Sequence, residues 1–160
     1  MQKVATVIDF IDNVEALDIE PIAALLVEQY QGEITGGVKR QLWDGKKPDG
    51  SDITPSYLDD PYFKTRKQAE GYAKWKSGGA FANPNRGLYT PNLYINGYFY
   101  STITVSIGAR FEVFSTWGEV GSKYADALGL SEGEANKIID QFVRPAYEVI
   151  VTRQTGLKFS

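Results

Sequence analysis

Asp59 and Asp60 stand side by side in YLDDPY, and paired carboxylates can do acid–base or metal chemistry. Hydrolysis by two carboxylates needs them to face each other across a substrate, whereas neighbours in an extended loop point apart. Turn formation and capping ahead of Pro61 account for the pair more simply. DGKKPDGSD has acidic residues at short intervals but lacks the alternating ligands and terminal Glu of a calcium loop. The glycines at 78, 79 and 87 neither follow a strand nor open a helix with a Lys-Ser/Thr pair, so no phosphate cradle is indicated.

The chain contains no cysteine and no histidine. Disulfides, thiolate nucleophiles, Ser-His and Cys-His triads and the usual zinc and haem sites are therefore outside its repertoire. The sequence predicts no catalytic residue, no metal site and no cofactor, and the expectation is a protein that is not an enzyme. With 17 basic and 20 acidic residues the net charge of −3 offers no general attraction for nucleic acid or anionic lipid. Asp9, Asp12 and Glu15 interrupt any N-terminal apolar stretch, and no run approaches the roughly 18 apolar residues of a membrane span. A soluble chain is expected.

What remains is the aromatic complement, 13% of the residues and weighted to tyrosine. Rings among Asn and Gly can stack on sugars, with Trp75, Tyr89 and Tyr94 as the platform for a carbohydrate-binding module. Subunit interfaces enrich the same residue types, and so do cores. The stretch NLYINGYFYSTITVSI, residues 92–107, concentrates the question, since Tyr94, Tyr98, Phe99 and Tyr100 precede a run of alternating β-branched residues.

The elements that must position these rings read as follows. Val4, Val7, Ile8, Ile11, Val14 and Leu17 follow helical spacing, predicting an amphipathic helix over 3–18 and with it an N-terminal helical arm of 1–18 on a single domain of 1–160. Asp18 and Pro21 open a second helix, over about 20–43, in which Gly32, Gly36 and Gly37 each cost about 1 kcal/mol and predict a bend or break. The Asp-Gly pairs and prolines of residues 44–61 predict an ordered loop. A helix over 65–76 is capped by Thr65 and turns Ala69, Tyr72, Ala73 and either Trp75 or Lys76 to one side. A second long loop follows, rich in Gly, Asn and Pro.

Alternation from Tyr98 predicts a strand carrying Ile103, Val105 and Ile107 on one face, turned by Gly108-Ala109 into Phe111, Val113 and Ser115, with Glu112 and Phe114 opposite. GSKYADALGL reads as a short helix closed by Gly129, and Ser131 with Glu134 as a capping box. Pro145 predicts a kink in the final helix and Gly156 its stop. The fold class is α+β: helices at both ends, a β-hairpin packed on helices, and long ordered loops.

The order of these pieces carries a resemblance. QLWDGKKPDGSDITPSY, a Lys-rich helix, TPNLYINGYFYSTITVSI, FEVFST and SKYADALGL before a last helix resemble short structural proteins of tailed bacteriophages, above all those of Bacteroidetes phages including the crAss-like group. More distantly the chain resembles tail-completion or virion-morphogenesis proteins. The resemblance covers about residues 40–145. It runs from the helix end at Gln41-Leu42-Trp43, through Ile53-Thr54-Pro55-Ser56-Tyr57 and Asn96-Gly97-Tyr98-Phe99-Tyr100-Ser101, to Lys123-Tyr124-Ala125 and Leu128-Gly129-Leu130. The insert YLDDPYFKTRKQAEGYAKWKS is longer than in the tail-completion proteins, and Asn96 stands where a threonine is usual.

The resemblance implies a noncatalytic virion subunit, made in the host cytoplasm and repeated in a homo-oligomeric ring at the head–tail junction or in the tail. Its implied partners are portal, connector or tail proteins, with passing contact to DNA in a channel and none to membrane. Trp43, Tyr57, Tyr62, Tyr94, Tyr98 and Tyr100 are the candidate contact residues.

Overall fold

The computed structural model describes residues 18–107 and 111–156, and the fold is α+β. The helix expected over 3–18 lies, apart from Asp18, outside the described residues, as does the Gly108-Ala109 turn. The chain divides into two compact units: Gly32–Ala135, and the described parts of Met1–Gln31 with Asn136–Ser160.

The second of these units is helical. Helix α1, Ile19–Gln29, buries Ile22 and Leu26 at the four-residue spacing of one helical face. The helical run is interrupted at Tyr30, just before the first of the three glycines, and resumes as α2, Gln31–Trp43. Close approach by the described residues does not explain Gly32, because a Cβ there would meet none of their atoms within 4 Å.

In the larger unit, Ile34, Val38 and Leu42 of α2 are buried, again four residues apart. Gly45 then turns the chain at φ 70° and its carbonyl accepts a bond from Ile53 N, folding the 44–53 loop back under α2 so that Ile53 enters the core. Within that loop Lys46 bridges Asp52, and Asp49 accepts from both the N–H and the hydroxyl of Ser51. Helix α3, Arg66–Lys76, begins where Thr65 Oγ1 accepts from Gln68 N, as its sequence predicts.

Tyr98–Ser101 differs from expectation: it is one helical turn, α4, and the strand starts only at Ile103. Local side-chain bonds outweigh strand propensity here. Asn96 Oδ1 accepts from Tyr98 N, Gly97 takes φ 82°, and the hydroxyls of Ser101 and Thr102 bond back to the carbonyls of Tyr98 and Phe99. Strands β1, Ile103–Ile107, and β2, Phe111–Ser115, then pair antiparallel with Ile103 opposite Ser115 and Val105 opposite Val113. Ile103 and Val113 face the core, while Glu112 and Phe114 are exposed.

The segment expected as one helix up to Gly129 is two pieces, α5 at Gly118–Lys123 and a 3₁₀ turn at Ala125–Ala127. They part at Tyr124, whose ring is drawn into the core beside Phe99, Tyr100 and Ala127. Helix α6, Glu132–Ile138, opens with Ser131 Oγ accepting from Glu134 N. It widens into a π turn at Ile139–Val143 before α7, Arg144–Thr155. Pro145 has no N–H to give and crowds the preceding turn, and the wider turn accommodates it. Gly156 stops α7 at φ 76°.

Candidate functional site

A cavity of about 470 Å³ opens in the larger unit, a volume in the range of small-molecule sites. Four parts of the chain build it. The loop before α3 contributes Asp60 and Phe63, α3 contributes Tyr72 and Lys76, the approach to α4 contributes Tyr94 and Ile95, and α5 with its flanks contributes Trp117 and Lys123.

The rings are mutually braced edge to face. Tyr57 meets Tyr72 at 5.1 Å, Tyr94 meets Trp43 at 5.3 Å and Tyr100 at 5.1 Å, and Tyr98 meets Trp117 at 5.1 Å between centroids. Such pairs hold each ring in one orientation and contribute roughly 0.5–1.5 kcal/mol each beyond burial. Burial pushes the Tyr57 and Tyr100 phenols far above their ordinary value, and Tyr100 donates to the carbonyl of buried Asn92 at 2.6 Å.

Two cations and one carboxylate give the cavity its polarity. Asp60 is buried and accepts from Lys123 Nζ at 2.8 and 2.9 Å, from Tyr62 N at 3.0 Å and from Tyr124 OH at 3.3 Å. Burial alone would raise its pKa, but the Lys123 and Tyr62 bonds together outweigh it and hold the carboxyl below its ordinary value. Asp59 does not line the cavity; it accepts from Ser56 Oγ at 2.5 Å. The adjacent carboxylates therefore diverge.

Lys76, at 1% exposure, is the largest fully buried side chain among the described residues. Its ammonium donates to the Tyr94 carbonyl and sits 4.3 Å from the Phe81 ring centre. Burial, reinforced by the charge of Arg86, lowers its pKa to about 8. Arg86 is also buried and donates to the carbonyls of Thr90 at 2.6 Å and Lys76 at 2.7 Å, capping the C-terminal end of α3.

Of the residues singled out as contacts, Tyr62 is 79% and Tyr98 57% exposed, both at the cavity. Tyr57 and Tyr100 are buried in the chain's own core, and Trp43 and Tyr94 are half-buried. In the alternative sugar platform, Trp75 is exposed but braced on Tyr72 and Phe81, and the Tyr94 ring is closed in by Trp43, Phe81 and Tyr100.

Sequence reasoning missed Lys76, Lys123, Trp117 and Ile95 as site residues. Lys76 had a signal: it continues the buried stripe of Ala69 and Ala73 on α3, and small residues at such a register leave room for a long stem. Among the described residues no group of three acidic side chains could hold a metal ion, and no helix is long and apolar enough to cross a membrane. In comparisons with protein-family models, curated proteins and solved structures, none matches this chain.

Proposed function

We propose that this chain is a noncatalytic structural subunit of a tailed-bacteriophage virion, working through protein–protein contacts in an oligomeric ring at the head–tail junction or in the tail. The observation that carries the reading is a patch of exposed apolar side chains around the mouth of the cavity. Tyr62, Ile95, Tyr98 and Trp117 are between 40% and 79% exposed, on a chain whose sequence order resembles such subunits. Exposed aromatic clusters mark contact surfaces, and rigid rings serve there as anchors. The two-stranded sheet adds a second feature. Among the described residues each strand is paired on one side only, which leaves a backbone edge on which a neighbouring strand could build.

The chain's lack of His and Cys agrees with a role of shape and contact. Mass photometry of the purified chain, alone and with a tailed-phage portal protein, tests the reading together with peptide mapping of purified particles. A ring-sized species and recovery of the chain from particles are expected. A chain that stays monomeric with portal and tail proteins, and is missing from particles, would end it.

A further inference from the structure

We infer that the aromatic cavity of the larger unit is a binding site for a small apolar monocarboxylate, with Lys76 as its counter-ion. The inference goes beyond the assembly reading and does not depend on it.

The argument is one of uncompensated charge. Among the described residues Asp60 is the only carboxylate lining the cavity, and it is committed to Lys123, so that pair contributes no net charge. Lys76 and the neighbouring Arg86 are both buried, and the bonds they make among the described residues are to carbonyl oxygens. A buried cation without an anion is costly, and an anion brought by a ligand relieves that cost. An ammonium has three donors, and the Tyr94 carbonyl takes one. The remaining walls are phenyl, phenol and indole rings with Leu93 and Val120, which match an apolar or aromatic body. The volume suits a small molecule of that kind.

Asp60, Lys123 and the phenols of Tyr57, Tyr72 and Tyr124 at the cavity are all held further from pH 8. The Asp60 carboxyl is held below its ordinary value. Lys123 is held above its own, because its bonds to Asp60 and Tyr124 outweigh burial, and burial raises the Tyr57, Tyr72 and Tyr124 phenols.

Calorimetric titration of the full chain with 3-phenylpropanoate and with its neutral amide is the test. At pH 7 the acid is expected to bind at least tenfold more tightly than the amide, and Lys76→Met to remove that preference while leaving amide binding in place. On the unmodified chain, acid affinity should fall about tenfold from pH 7 to pH 9.5 and amide affinity should stay level, which keeps the test independent of how the variant folds. Equal affinities for acid and amide, a pH-independent acid affinity, or no heat with either at millimolar concentration would overturn the assignment. So would binding of a peptide ending in a free C-terminal phenylalanine where the small acid does not bind. A chain that binds the acid but never enters particles would sink the assembly reading and leave this one standing.

Discussion

Asp60 and Lys123, 63 residues apart, form the ion pair that ties the loop before α3 to α5, with both carboxylate oxygens within 2.9 Å of one ammonium. Because Asp60 is buried and Lys123 is 39% exposed, the two ends respond differently to loss of the other. Lys123→Met leaves a buried carboxylate with only Tyr62 N and Tyr124 OH, and is expected to cost about 2 kcal/mol at pH 7. The Asp60 pKa is depressed in the folded chain, so its contribution is present above the unfolded carboxyl value near 4 and lost as pH falls through the folded value. Urea unfolding of both proteins should therefore show a gap at pH 7 that closes below about pH 4.

Lys76 sets the opposite trend at alkaline pH. Its pKa falls from 10.5 to about 8 on folding, so holding it charged penalises the fold fully below pH 8, and the penalty fades as pH rises toward 10.5. The phenols of Tyr57, Tyr72, Tyr100 and Tyr124 are raised on folding, so the stability they contribute is present below their unfolded value near 10 and lost above it. Stability should rise from about pH 8 to a maximum near pH 10 and then decline. In Lys76→Met the rising limb should be missing while the decline persists, as thermal unfolding across that range would read directly.

Gly45 is the turn on which the 44–53 loop depends. At φ 70° a side chain is strained, and a Cβ would lie 2.6 Å from Thr90 Cγ2 and 3.1 Å from the Pro91 carbonyl. Both costs act together in Gly45→Ala, and a loss of about 2 kcal/mol or more is expected. Gly50→Ala shares the positive φ but has open space around it, so it should cost about 1 kcal/mol. Chemical denaturation of the two variants separates crowding from backbone strain.

The sequence made legible what local chemistry decides. Thr65 and Ser131 cap the helices they were expected to cap, Gly156 stops the last one, and the alternation from Ile103 sets the hairpin faces. These signals act within four residues of one another. The cavity was not legible, because its polar groups come from residues 60, 76 and 123 and meet only through tertiary packing. Tyr98–Ser101 misled for a different reason: aromatic residues suit strands, but the bonds of Asn96, Ser101 and Thr102 to nearby backbone close a helical turn first. Periodicity left either Trp75 or Lys76 on the packed side of α3, and the rule that places lysine outside gave no ground for choosing Lys76, whose stem lies along small residues.

Tyrosines in this chain divide by what their hydroxyls and rings touch, and mutation should separate the groups. Tyr100 is buried and donates to the carbonyl of fully buried Asn92, so Tyr100→Phe strands an acceptor and should cost about 1–3 kcal/mol. Tyr62 and Tyr98 keep 79% and 57% of their surface in water, so Tyr62→Ser with Tyr98→Ser should change stability by only about 1 kcal/mol. If the rings are contact anchors, that double variant folds normally yet loses ring formation in mass photometry, whereas Tyr100→Phe is less stable yet assembles. A double variant that assembles like the unmodified chain would take the cavity rim out of the interface and leave the open strand edges as the surface to examine next.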